Sequence, residues 1–458
     1  MSFFTKAVSI FRLFKQALKG EEQSYTSGSI DKAIFMLSIP MILEMSMESL
    51  FAVVDAFYVS RLGVDALATV SLTESVLTLV YSLAIGLSMG ATAMVARRVG
   101  EGDIPAAAKA GVQAIYLAIG ISIAISIVGL FFSENILALM GASESVIASG
   151  SGYTRWMLGG NITVMLIFLI NAIFRGAGDA SLAMRVLILS NALNIILDPI
   201  FIFGFGPIPA FGVEGAAIAT TIGRGIGVAY QVSHLVYGKG LIKIHRQNLP
   251  IDFGLIGRLI KVSAGGTGQF IIASASWIFL VRIVSTFGSE ALAGYTIAIR
   301  VIVFAILPAW GMANAAATLV GQNLGAGQPE RAEQSVWRTG FFNMLFMAFI
   351  TVTFMTLAKP IVELFTTESV VLANATQCLQ IVAIGYIFYA YGMVVAQSFN
   401  GAGDTRTPTI LNFFAFWMFQ IPLAYVLAII LNMGPKGVYV AIVVAESALA
   451  VVGILIFR

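Results

Sequence analysis

The sequence predicts an all-α integral membrane protein of twelve transmembrane helices, arranged as two six-helix bundles related by a pseudo-twofold axis. Three observations carry this. Of the 458 residues, 59% are hydrophobic and 11% charged, against roughly 45–50% and 25% in soluble chains; too little polar surface remains to cover a water-facing globule. Apolar runs of bilayer-spanning length recur from about Ala33 to the C-terminus. The chain also matches itself, without gaps, at an offset of 225 residues in three places.

Windows of about twenty apolar residues between polar or Gly-rich breaks place the spans near 33–60, 66–95, 110–132, 152–174, 181–203, 213–237, 257–287, 291–320, 336–358, 375–399, 407–431 and 437–457. With the N-terminus inside, the inside segments hold nineteen Lys and Arg, among them Lys6, Arg97, Arg98, Arg175, Lys239 and Arg406. The outside segments hold only Arg61, Lys359 and Lys436. This asymmetry follows the positive-inside rule and predicts an inner-membrane protein with both termini cytoplasmic.

Before the first span, Phe4, Ala7, Val8, Phe11, Phe14 and Leu18 share one helical face, with Lys6, Arg12, Lys15 and Lys19 towards the other. Such a segment lies in the headgroup region rather than acting as a signal peptide.

The three repeat windows pair Gly63-x-x-Ala66-Leu67-Ala68 with Gly288-x-x-Ala291-Leu292-Ala293, Val99-Gly100-x-Gly102 with Leu324-Gly325-x-Gly327, and Phe174-x-Gly176-Ala177-Gly178-Asp179 with Phe399-x-Gly401-Ala402-Gly403-Asp404. Six helices per repeat is an even number, so the halves share one orientation, with substrate between them. The expected organisation is an amphipathic segment over 1–30, a bundle over 31–238, a cytoplasmic linker over 239–256 and a second bundle over 257–458. The Gly-rich pieces lack the Gly-Lys-Ser/Thr ending of a phosphate loop and read as turns. Asp179 and Asp404 are then expected to cap the helices that follow.

The single Cys378 excludes an internal disulfide framework, and His234 and His245 without a Cys-x-x-Cys leave nothing resembling a structural metal site. A net charge of +3 implies no nucleic-acid partner.

Ionisable residues inside spans are costly and point to function. The first half holds Glu44, Glu48, Asp55, Glu74 and Asp198 with one cation, Arg224; the second holds Arg282, Arg300 and Glu446. Asp55 and Asp198 each lie five residues from the outer end of their spans, and Thr220 lies seven into the sixth. Asn194 falls one turn below Asp198, and Glu48 two turns below Asp55. Pro199 frees the carbonyl of Ile195. Carboxylate, amide, hydroxyl and carbonyl oxygens suit a hard cation, and clustered carboxylates suit proton exchange, so sodium and proton both stay open. Competing readings pair Asp55 with Arg61 and Asp198 with Arg224, or place Glu74, Arg224, Arg282 and Glu446 in packing salt bridges. Met41, Met45 and Met47 serve packing or line an adaptable apolar cavity.

The segments Ala52-Val-Val-Asp55-Ala-Phe-Tyr-Val-Ser-Arg-Leu-Gly63, the repeated Phe-x-Gly-Ala-Gly-Asp, and Asn194-Ile-Ile-Leu-Asp198-Pro199 followed by Gly212-Val-Glu-Gly-Ala-Ala-Ile-Ala-Thr220 together resemble the multidrug and toxic compound extrusion (MATE) family over nearly the whole chain after residue 30. The resemblance implies a V-shaped pair of six-helix bundles. It also implies export of organic cations and other amphipathic compounds against inward sodium or proton flow. It carries Asp55, Asn194, Asp198 and Thr220 onto the cation cluster of the branch that keeps its site in the N-terminal half. Beside that cluster, Glu48, Glu74 and Arg224 are the accessory candidates among the ionisable residues of the spans. Glu48 stands where many members have glutamine. The other branch has acids where this chain has Ala273 and Tyr389, so no cation site is expected in the second half.

The expected function is cation-coupled antiport by alternating access, and the resemblance implies that the first span bends near Pro40 and Asp55. The protein is expected to be a monomer among lipids, with no cofactor beyond the coupling ion and no enzymatic activity. A lipid-linked oligosaccharide flippase of the same superfamily is the alternative, kept open by Arg224, Arg282 and Arg300. An intramembrane enzyme is a distant third, because neither histidine lies where a base or ligand would be needed.

Overall fold

The computed structural model describes residues 12–20 and 25–458. The chain runs α1 (Ile30–Ser60), α2 (Val64–Gly100), α3 (Ile104–Leu139), α4 (Glu144–Gly159), α5 (Asn161–Gly176), α6 (Ala180–Phe203) and α7 (Val213–Tyr237). A connection over 238–252 leads to α8 (Phe253–Ser285), α9 (Ser289–Gly325), α10 (Pro329–Glu363), α11 (Ser369–Ala383), α12 (Tyr386–Gly401), α13 (Arg406–Ile430) and α14 (Pro435–Phe457). Within apolar runs of this length, helix is the conformation that satisfies every backbone group without water. Side-chain oxygens start many of these helices: Ser29 accepts from Lys32 N, Asp103 from Ala106 N and Ser143 from Val146 N.

Among the described residues, ten helical segments are long and apolar enough to cross a bilayer, α4 and α5 counting together as Glu144–Gly176. The α11–α12 pair, bent by 60°, makes an eleventh. The remaining predicted span, α7, is a 25-residue helix, about 37 Å long at 1.5 Å per residue. Its apolar character is diluted by Glu214, Thr220, Thr221, Arg224 and Gln231.

The internal repeat is visible in the backbone. Helices α2 and α9 each have 37 residues and begin after glycines in almost the same conformation, φ 102° at Gly63 and 103° at Gly288. A residue with a Cβ would be strained at either. Asp179 caps α6 through Leu182 N at 3.0 Å, and Asp404 accepts from Thr407 N at 3.1 Å. The capping role expected of both is present.

The halves meet where α2 packs on α8 and α9, and α1 on α9. Close backbone approach there needs glycine. A Cβ on Gly86 would stand 2.5 Å from Thr267 N, and one on Gly100 only 1.9 Å from the Gln322 carbonyl oxygen. Direct hydrogen bonds add to this seal: Thr318 donates to Arg175 O at 3.1 Å and Gln322 Nε2 to Gly176 O at 3.1 Å. Tyr25 reinforces it, donating from its N–H to Gln322 Oε1 at 3.1 Å and from its hydroxyl to Gly178 O at 3.2 Å. Arg331 holds the carbonyls of Tyr25, Ser27 and Gly28. Phe457 packs on Phe399 and Trp337, so Tyr25 and Phe457 lie at the same, sealed end.

Residues 12–19 are helical, with Ala17 buried in one apolar cluster with residues of α1, α6 and α9. The predicted apolar positions Phe4, Ala7, Val8 and Phe11 lie outside the described residues. The connection over 238–252 is pinned to α3: Lys109 pairs with Asp252 at 2.8 Å, and Gln113 exchanges hydrogen bonds with Pro250 O and Asp252 N.

Candidate cation-coupling site and central cavity

Helices α6 and α7 bring three of the four predicted coupling residues into hydrogen-bond contact. Asn194 and Asp198 are one turn apart on α6, so their side chains stack on one face. Asn194 Nδ2 donates to Asp198 Oδ1 at 3.2 Å and to Thr220 Oγ1 of α7 at 3.1 Å. Gly223 allows α7 this close; a Cβ there would lie 2.9 Å from Ser190 O. Asp198 is fully buried, and Asn194 and Thr220 nearly so. Asn194 Oδ1 and Asp198 Oδ2 are buried without any partner.

Asp55, on α1, is the fourth member. It is buried and lies within electrostatic reach of Asp198, Glu74 and Arg224. Among the described residues neither Asp55 nor Asp198 forms an ion pair. The expected competing pairings do not occur: Arg61 sits 4.4 Å over the Phe57 ring. Arg224 pairs with Glu48 at 3.1 Å, takes Tyr81 Oη at 3.2 Å and lies 5.1 Å from the Phe51 ring centroid. Arg224 is therefore neutralised by Glu48, which leaves the carboxylates of Asp55 and Asp198 without a cationic partner among the described residues.

Glu74 is exposed on α2, within electrostatic reach of Arg300 but not paired with it. In the second half, Glu446 also lacks an ion-pair partner, and its Oε2 is buried without a hydrogen bond. It lines a small cavity with Trp277, Tyr386 and Tyr389 at the α11–α12 break. Arg224 and Glu446 are each the twelfth residue of their helix, so the halves carry opposite charges at matching places.

Glu44 and Arg175 form a buried pair that the sequence did not join. Arg175 Nη1 lies 2.5 Å from Glu44 Oε1, which also accepts from Asn171 at 3.1 Å. Gln231 donates to Asn171 Oδ1 at 2.7 Å. Sequence counting placed Arg175 among the inside-facing charges, because it closes a span. The available signal was Glu44 itself, an acid deep in α1 that burial obliges to find a cation. On its other side Arg175 lines a central cavity between the halves of about 100 Å³, with Met45, Ser88, Phe168, Trp310, Asn314 and Gln397.

A single family model, MatE, matches the chain twice, at residues 40–200 and again at 267–426. A Thermotoga maritima protein named probable multidrug resistance protein NorM is 25% identical over 433 residues, covering 94% of this chain and 92% of that one. The Staphylococcus aureus multidrug export protein MepA is 23% identical, with 96% of each chain covered. A Shewanella oneidensis relative, 24% identical over 93% of this chain and 94% of its own, is named an FAD transporter. Among solved structures, one described as MATE in the straight conformation superposes with a TM-score of 0.89 at 29% identity, over 94% of this chain and 96% of that one. One described as the bent conformation gives 0.88 at 28%, over 97% and 96%.

Proposed function

The chain belongs to the MATE family, and from that premise we propose that it is a secondary exporter of amphipathic compounds driven by inward flow of sodium or protons. The coupling ion binds at Asp55, Asn194, Asp198 and Thr220, with Glu48, Glu74 and Arg224 setting the charge around it. The observation that carries this reading is the pair of buried, partnerless oxygens, Asn194 Oδ1 and Asp198 Oδ2, beside the unpaired Asp55. A buried acceptor without a donor costs about 1–3 kcal/mol, and a bound cation or proton removes that cost.

The two halves exchange access by rocking about the site between them. Helix α1 carries Asp55 and Glu48 on one side of Pro40's helical turn and contacts α9 of the other half, so an ion that moves α1 also moves the interface. Pro40 weakens the helix there by removing a backbone donor. Similar solved structures described as a straight and a bent conformation support a protein that changes shape. In the cell the protein lies in the cytoplasmic membrane with both termini inside, which the Lys and Arg distribution supports.

The test is efflux of a fluorescent amphiphile from proteoliposomes under a sodium gradient and a pH gradient imposed separately. Efflux driven by either gradient and abolished by Asp198→Asn supports the reading. No efflux under either gradient from folded protein contradicts it and points to the lipid-linked flippase.

A further inference from the structure

The central cavity presents one charged group to its contents. Of the described side chains that line it, Arg175 alone carries a charge. Its partner Glu44 lies behind it with no exposed surface, while part of Arg175 reaches the cavity. Of the pair, only Arg175 is a lining residue, so a ligand meets Arg175 before it meets the carboxylate. We propose that this cavity holds its substrate by an anionic end docked on Arg175, so that the cargo class is aromatic amphiphiles bearing a carboxylate or phosphate-type group. The inference rests on the transporter reading and specifies its substrate.

The rest of the lining fits that class. Glu44 occupies Nη1 of Arg175 and, with Asn171 and Gln231 behind it, fixes the plane of the fork. A planar guanidinium held in this way suits the two oxygens of a carboxylate or phosphate. Ser88 Oγ is buried in the lining with no partner, and a buried hydroxyl gains from an incoming acceptor. Asn314 and Gln397 add amide donors at the same floor. The apolar walls are aromatic and thioether: Phe168, Trp310 and Met45. Trp310 is held in place by stacking on Phe270, with ring centroids 6.2 Å apart and planes 9° from parallel. An organic cation would find no carboxylate among the described residues of these walls.

The experiment is equilibrium binding of a charge series on one ring system to purified full-length protein, without any ion gradient. The probes are 2-naphthoate, 2-naphthyl phosphate, neutral 2-naphthamide and trimethyl(2-naphthyl)ammonium. Naphthoate or the phosphate is expected to bind wild type at least about tenfold more tightly than the ammonium probe, 1.4 kcal/mol per tenfold. The double variant Glu44→Gln/Arg175→Gln removes both charges together, leaving neither one buried alone, and is expected to lose the preference. Asn314→Ala, which leaves the ion pair intact, should weaken only the anionic probes. The coupling account is read by gradient-driven efflux and this one by equilibrium binding without a gradient, so failure of one and failure of the other read differently. Equal or tighter binding of the ammonium probe by wild type overturns the proposal, as does a preference that survives in the double variant. If the double variant does not fold, the wild-type series and Asn314→Ala still decide.

Discussion

Asn194 Nδ2 donates to Asp198 Oδ1 across one helical turn at 3.2 Å, and in doing so turns its own carbonyl oxygen away from every donor. Asp198 likewise keeps one oxygen without a partner. Two buried oxygens left open side by side are what a hard cation or a proton completes. Neutral replacement should then silence coupling without harming the fold. Asp198→Asn and Asp55→Asn each remove an unpaired buried charge, so thermal stability is expected to be unchanged or higher, within about 1 kcal/mol. Gradient-driven transport should vanish. Melting curves beside flux assays check both halves of that expectation; a large loss of stability would mean that the carboxylates are structural.

Glu44 and Arg175 behave in the opposite way. Breaking a buried pair on one side leaves an uncompensated charge and typically costs about 3–5 kcal/mol. Glu44→Ala or Arg175→Ala is expected to lower the melting temperature sharply, while Glu44→Gln/Arg175→Gln recovers much of it. Thermal unfolding in detergent reads this directly, and additive losses in the double variant would contradict the pairing.

The seal between halves depends on Gly100, whose added Cβ would sit 1.9 Å from a backbone oxygen of Gln322 that cannot move aside as a side chain could. Gly100→Ala is therefore expected to hold the sealed end ajar. A reporter cysteine at Ser88, in the central cavity, should react faster with an impermeant thiol reagent applied from the side that carries Tyr25 and Phe457. Cys378 is buried and gives little background. An unchanged labelling rate would show that the contact does not gate access.

Asp252 gives a pH signature outside the membrane. Its hydrogen bond from Lys109 holds its carboxyl below the ordinary range, helped by the Leu255 N–H that it caps. A depressed folded pKa stabilises at pH above the unfolded value, about 4, and the effect fades as pH falls through the folded value. Asp252→Asn keeps the cap and loses the charge. It should be slightly less stable than wild type at neutral pH, the difference shrinking below about pH 4. A gap that stays constant with pH would assign the effect to the cap.

Much of this architecture was readable from sequence because the bilayer allows so few solutions. Long apolar runs must be helical, and the Gly-Asp turns at 178–179 and 403–404 are specified by local chemistry, positive φ followed by a side-chain cap. The α6 pair Asn194 and Asp198 follows from helical spacing alone. What stayed hidden depends on contacts between distant helices. Arg175 looked like an inside-facing charge because nothing local reveals Glu44, 131 positions earlier, as its partner. Glu446 looked equally suited to a packing salt bridge, and its lack of one is a fact of its neighbours on α8, α9 and α12. The π-helical stretches Phe413–Gln420 and Val426–Ile430 in α13 have no sequence signature beyond an uninterrupted apolar run.

The most direct test of the coupling claim is reciprocity at equilibrium. Affinity for a fluorescent substrate is measured as sodium concentration or pH is varied, and ion affinity is measured with and without substrate. The account predicts that the coupling ion weakens substrate binding, that substrate weakens ion binding by the same factor, and that Asp198→Asn removes both effects. Substrate affinity that ignores both ions in folded wild-type protein would contradict it.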